Sequence, residues 1–257
     1  MGLFPSFDRE EFDPDRPRKT GLPRLGELIV RDFWDNFRAG FLALAGCIPF
    51  ILGLFFVVST HAMLLAPVVG LIGGAVAGPE LCAQADTLLR GLRDDIGRVW
   101  WPAYRKAWKR SAKASLLPGA LGGALLSTQL FMLFHADELQ LGLAVGAALV
   151  LGILFLLGLS LYLWPQLALM ELGFGQLLKN SALLFIGQLP RTAAALAVYA
   201  VYILVSLRFF SFAASLLPLT NFWLPTLPAL FLVYPGLDQA FDIEQKFRAE
   251  QAPSDNP

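Results

Sequence analysis

Charge is scarce in this sequence, and long stretches lack it altogether. Only 16% of the 257 residues are Asp, Glu, Lys or Arg, against about 25% in an ordinary soluble domain. None occurs from Ala39 to Pro79, Ala114 to Ala136, Leu139 to Met170, or Phe209 to Leu237. Soluble cores rarely need four such runs, so a soluble fold is excluded. Cysteine is scarce too. Cys47 and Cys82 form no CxxC pair, which excludes a disulfide framework and leaves two small buried hydrophobes. The two histidines, His61 and His135, are read as lacking a third ligand. Zinc usually takes three or four protein ligands, so no metal site is expected. There is no HExxH, no GxSxG, no lysine after a glycine-rich loop, and no intramembrane acid pair. A non-enzymatic protein is expected, with no cofactor and no nucleic-acid partner. The segment 1–27 is polar and proline-rich and lacks an apolar core followed by a small-residue cleavage site, so no secretory signal is expected.

What is present is length of apolar chain. A helix rises about 1.5 Å per residue and the hydrocarbon core is about 30 Å thick, so about 20 apolar residues span it. The expected fold is all-α: a polytopic membrane bundle of six transmembrane helices with two in-plane cytoplasmic helices. The expected spans are Ala39–Ser59, Met63–Leu89, Ser115–Phe134, Leu141–Met170, Pro190–Phe210 and Leu216–Tyr234. A tail, 1–25, precedes the membrane domain, 26–237, and a second tail, 238–257, follows it. Phe4, Phe7 and Phe12 could touch the membrane surface, but a disordered tail is the plainer expectation.

Basic residues give the orientation. Seven lie in the tail up to Arg38, eight between Arg90 and Lys113, and four are Lys179, Arg191, Lys246 and Arg248. Arg208 is the single exception. Lys and Arg favour the cytoplasmic side, so both termini are expected there and the number of spans is even.

The segment Asp94–Ser111 is the most informative polar element. Ile96, Val99, Trp100, Ala103, Tyr104, Ala107 and Trp108 recur at helical spacing, with Arg98, Arg105, Lys106, Lys109 and Arg110 elsewhere on the wheel. That describes an amphipathic helix in the membrane interface, either a topology anchor or a docking surface. The docking candidates are Trp100, Tyr104, Arg105, Trp108 and Lys109. Lys179 and Asn180 join them on a second helical stretch, 172–189. Glu80 and Asp86 are the acids within the spans. Such acids are costly and often functional, so Gly78, Pro79, Glu80 and Asp86 are the candidates for a solute or ion pathway. The plainer reading is that both acids snorkel or pair with Arg90 or Arg93, Asp86 and Arg90 having favourable i,i+4 spacing. Gly70, Gly74 and Gly78, Gly119 with Gly123, and Gly142 with Gly146 are GxxxG steps, which let helices approach closely. Intramolecular packing is the default use; a homo-oligomer face is the lesser one.

Several of these segments together resemble the YesL-like family of bacterial membrane proteins, whose function is not established. The resemblance rests on Met1-Gly2-Leu3-Phe4, Arg31-Asp32-Phe33-Trp34, Gly78-Pro79, the stretch 90–114, Tyr162-Leu163-Trp164-Pro165, and Lys179-Asn180-Ser181-Ala182. It covers nearly the whole chain. Two positions depart from the pattern: Glu80 stands where a small residue is usual, and Arg110 where Asn is common. The resemblance implies association with carbohydrate uptake. The expected function is an accessory membrane subunit partnered with an ABC permease or ATPase in the bacterial cytoplasmic membrane. The alternatives are a stand-alone small-solute transporter and a membrane partner of a sugar-sensing regulatory system.

Overall fold

The structure is a computed structural model that describes residues 19–95, 99–209 and 219–251. The expectations for Phe4, Phe7 and Phe12, for Ile96 and Arg98, and for the start of the sixth span lie outside these residues. All-α holds. Nine α helices and one 3-10 turn, and no strand, occur among the described residues. They are α1 (Leu22–Arg31), α2 (Phe33–Ser59), α3 (Ala66–Arg93), α4 (Trp100–Phe134), α5 (Leu143–Leu169), α6 (Phe174–Gly187), α7 (Leu189–Arg208), α8 (Trp223–Phe241) and α9 (Ile243–Gln251). Five of them, α2, α3 (with the 3-10 turn before it), α4, α5 and α7, are long and apolar enough to cross a membrane.

The bundle is built on α3 and α4, which run antiparallel in one continuous register. Ala66 meets Ser127, Gly70 meets Gly123, Gly74 meets Gly119 and Gly78 meets Ser115. Cys82 then meets Ser111, and Arg90 meets Ala103. Each advance of four residues on α3 is a retreat of four on α4. The contact surfaces are backbone: a Cβ added at Gly78 would lie 2.6 Å from the Ser115 carbonyl oxygen, and one at Gly74 would lie 2.9 Å from Gly123 Cα. Small residues permit this approach, and dispersion between the facing backbones holds it. The GxxxG steps on α3 and α4 are thus spent inside the chain. Gly142 and Gly146, where an added Cβ would meet nothing within 4 Å, remain open.

This register corrects one expectation. The basic segment is no separate in-plane helix but the first four turns of α4, a 35-residue helix about 52 Å long. Ala103, Ala107, Ser111, Ser115 and Gly119 form a single buried stripe that carries the contact with α3 unbroken from one part to the other.

The bundle has two distinct ends. At one, His61 and His135 meet where α2 and α4 finish. At the other, arginine-rich end, α1 and α9 both reach the C-terminus of α3. Arg24 and Arg31 of α1 bind Asp94, and the Arg93 guanidinium lies over the Phe247 ring of α9. The two described chain ends therefore share one side.

The sixth expected span has no counterpart among the crossing helices of the described residues. The helix there runs Trp223–Phe241 and is not among the five apolar enough to cross. Pro225, Pro228, Pro235, Asp238 and Gln239 dilute it. It pairs antiparallel with α7 through Tyr199 and Thr226, and through Tyr202 with Thr220. Its beginning lies against the arginine-rich half of α2, with Trp223 edge-on to Phe33 at 5.5 Å and its Cβ 3.0 Å from where a Cβ on Gly40 would sit. A six-span bundle of parallel rods would have put it at the histidine end. The main hydrophobic core also sits in the arginine-rich half, where Leu227, Leu230 and Leu237 of α8 meet Leu88, Tyr162 and Leu28.

Candidate functional site

The two acids of α3 face different neighbours. They are six residues apart, which turns them about 120° from each other on a helix. Glu80 points between α2 and α4. Its carboxylate accepts from the Tyr104 hydroxyl at 2.5 Å and from Trp108 Nε1 at 2.8 Å, and its side chain fills the space beside Gly46. Asp86 points between α4 and α5. It accepts from Arg90 one turn on and from Arg110 at 3.2 Å. The same Arg110 nitrogen also donates to the Ala168 carbonyl, so one guanidinium ties α3, α4 and α5 together.

These contacts sort the expected residues. Asp86 and Arg90 form the expected i,i+4 pair. Glu80 has no ion pair among the described residues and is satisfied by an aromatic hydroxyl and an indole instead. Gly78 and Pro79 are buried in the helix contact, with no space for a solute beside Gly78. Among the described residues, Glu80 and Asp86 face different neighbours and Gly78 is packed against Ser115. Tyr104 is 3% exposed and belongs to the interior, not to a docking surface, because it shares the side of α4 that carries Ala103 and Ala107. Trp100 packs tilted against it with ring centroids 5.2 Å apart and receives the Arg38 guanidinium at 5.6 Å. Arg105, Trp108 and Lys109 are exposed. Arg105 and Lys109, with Trp101, Pro102 and Lys106, line an open groove on the outer side of α4.

Lys179 and Asn180 are on α6, apart from that groove. Lys179 is exposed and Asn180 half-buried. The helix doubles back along α5: Gln166 Nε2 donates to Ser181 Oγ at 3.0 Å, and the Phe185 ring sits beside Gly158. Within the stretch 172–189, α6 packs along α5.

Sequence reasoning missed three participants. Arg110 entered as one of the basic residues of the amphipathic segment and as a departure from a pattern, yet it bridges three helices. Its one signal was a charge at the margin of the small-residue stripe. Asp94 is the second. It ends α3 in the left-handed conformation, φ 61°, and accepts from Arg24 at 2.5 Å and Arg31 at 2.6 Å. Arg31 also reaches Asp32 and the Gly91 carbonyl. Burial pushes the Asp94 carboxyl up, but the hydrogen bonds and charges of Arg24 and Arg31 outweigh it and hold it below the ordinary Asp value. The third is Glu138, which lies beside both histidines; its spacing of three from His135 was the local signal, and only the arrival of His61 has none.

No family model, curated protein or solved structure matches this chain. The chain has five helices long and apolar enough to cross a membrane, as a membrane protein does.

Proposed function

We propose that this is a non-enzymatic accessory subunit of the bacterial cytoplasmic membrane that docks on a carbohydrate ABC permease or its ATPase. The observation that carries the reading is the rigid basic extension of α4. Exposed Arg105, Lys106 and Lys109 and the half-exposed Trp101 stand on a helix locked to α3 through Ala103, Glu80, Asp86 and Arg110. A preorganised surface loses little entropy on binding, and aromatic and Arg residues are the common anchors of interfaces. The resemblance to the YesL-like family supplies the carbohydrate link. The packing of Gly78 and the pairing of Asp86 favour this reading over a stand-alone solute transporter. A photo-crosslinking residue at Lys106, in native membranes, should yield an adduct with a permease or ATPase subunit. Absence of any such adduct, with the protein folded and inserted, would overturn the reading.

Both termini are placed in the cytoplasm. The Lys and Arg distribution supports this, as does the meeting of α1 and α9 at one end of the bundle. In this reading α2 to α5 cross fully, and α7 with α8 enters as a hairpin from the cytoplasmic side. Arg208 then no longer has to be assigned to the outer face. An impermeant maleimide offers a direct test, because both native cysteines are buried. A cysteine at Leu139 should react from outside and one at Leu219 should not; outside labelling of both would restore six full crossings.

A further inference from the structure

At the end of the bundle opposite the arginines, three metal-ligating side chains converge. His61 comes from the turn after α2, and His135 and Glu138 from the turn after α4. One ligand atom from each lies within 4.8 Å of the other two. The His61 Nδ1 is 3.0 Å from Glu138 Oε2, and the two imidazole centroids are 4.7 Å apart. We propose that this triad is a binding site for a first-row divalent cation of the zinc class.

Three observations point to a ligand set and away from a chance surface cluster. The first is the ring orientation of His135. Its Nδ1 is 3.0 Å from the Phe131 carbonyl. A carbonyl only accepts, so in the neutral ring Nδ1 carries the hydrogen and Nε2 keeps its lone pair. Metal-binding histidines are commonly oriented in this way by a backbone carbonyl on the far nitrogen. The second is support. His135 is buried and stacked on Phe131 at 4.3 Å between centroids, so one ligand is fixed before the ion arrives. The third is backbone conformation. His61 adopts φ 56°, which an L residue adopts at some cost unless its surroundings hold it. Here Ala62 N–H to the Val57 carbonyl and Met63 N–H to the His61 carbonyl close the turn, and the result faces His61 toward His135.

The donor set is two imidazole nitrogens and one carboxylate oxygen. That set suits zinc, which takes His nitrogen and Glu oxygen at about 2.0–2.2 Å. Tetrahedral ligands at those lengths are about 3.4 Å apart, so the longest separation must shorten by up to about 1.4 Å and the 3.0 Å His61–Glu138 contact must open slightly. His61 and Glu138, both with side chains 60% exposed, are free to supply that movement. Three protein ligands leave a fourth position for water or a solute oxygen. The bound ion would tie the α2–α3 turn to the α4–α5 turn.

The test uses the full chain, purified without a histidine tag in detergent and stripped with chelator. Cobalt is the spectroscopic probe and zinc the competitor. One cobalt per chain should bind, with visible bands of nitrogen and oxygen coordination that zinc abolishes. His61→Asn and Glu138→Gln change exposed side chains and leave the helix contacts intact, so both variants should fold as the parent does. Each should weaken binding at least roughly tenfold, as even outer-shell partners of metal ligands do. No saturable binding below roughly 100 μM, or binding that both substitutions leave unchanged, would overturn the proposal. Neither outcome bears on docking at the opposite end.

Discussion

The α3–α4 and α7–α8 pairs are both antiparallel helix hairpins, but they are held by opposite means. In α3–α4 the backbones touch at Gly70, Gly74, Gly78, Gly119 and Gly123. In α7–α8 hydroxyls set the register, Tyr199 to Thr226 at 3.0 Å and Tyr202 to Thr220 at 3.1 Å, beside bulky leucines. The first contact has no slack, since any side chain added to it must move a helix. The second is a set of separate pairs, each of which can be lost alone. This difference teaches where the chain is constrained. The docking surface stands on the pair joined backbone to backbone.

Gly74→Leu should have the largest effect on that contrast. The new side chain meets the Gly119 and Gly123 backbone, and no rotamer avoids it. Overpacking of a tight core costs about 1–3 kcal/mol and occasionally more; against two backbones, ~3 kcal/mol or more is expected. Gly122→Leu on the same turn of α4 is the control, because an added Cβ there meets nothing within 4 Å. Unfolding in detergent, followed by tryptophan fluorescence, should separate the two. Equal behaviour would mean that the backbone contact is not what holds the pair.

Asp86→Ala comes next. Asp86 is 4% exposed, and its loss leaves Arg90 and Arg110 without their shared carboxylate. Breaking a buried pair from one side costs about 3–5 kcal/mol. Replacing Arg110 as well, in Asp86→Ala with Arg110→Leu, should recover part of that loss. A double-mutant cycle on unfolding free energies measures the coupling; additive effects would remove Arg110 from its bridging role.

How much of this was legible beforehand can be read from the same residues. Charge-free runs mark membrane segments because burying an unpaired charge in hydrocarbon is costly, and that rule is local. The runs containing Ala39–Pro79 and Leu139–Met170 therefore announced α2, α3 and α5 directly. Periodicity is less complete. It showed that Ala103, Tyr104 and Ala107 share an apolar side, but not that α3 covers it in place of lipid. That is why Tyr104 looked like a docking residue. Glu80 and Asp86 were visible as acids, and the partners of Glu80 were not, since Trp108 is 28 residues away. The course of α8 depends on Phe33 and Gly40, nearly the whole chain away, and composition holds no trace of it.

The attachment of α1 should respond to pH, and less strongly than the bundle. Asp94 has its pKa lowered in the folded state. A lowered carboxylate contributes stability that is fully present above the unfolded value, about 3.9, and is lost as pH falls through the folded value below it. The clamp should therefore be constant from neutral pH to about 5 and release under stronger acid. A spin label at Leu22, which is 81% exposed, should stay immobile over the first interval and loosen in the second. Asp94→Asn should loosen it already at neutral pH, by about 1.5–3 kcal/mol, the usual value of a hydrogen bond to a charged group. A label equally immobile in the variant would show that α1 is held by Leu25, Leu28 and Ile29 alone.

Tyr199→Phe should have the smallest effect, and it tests the other half of the comparison. The change removes one hydroxyl and keeps the ring. Thr226 Oγ1 loses its donor from Tyr199, but it still donates to the Phe222 carbonyl at 2.5 Å. No buried group is then left wholly without a partner, so the cost should be near the ordinary net value of a neutral hydrogen bond, about 1 kcal/mol. Thr226→Val, which also removes the bond to Phe222 and puts a methyl beside the tyrosine hydroxyl, should cost more. The order matters more than either number. If Tyr199→Phe proves as damaging as Gly74→Leu, the hairpin is as tightly constrained as the α3–α4 pair, and the separation into a rigid and a yielding half fails.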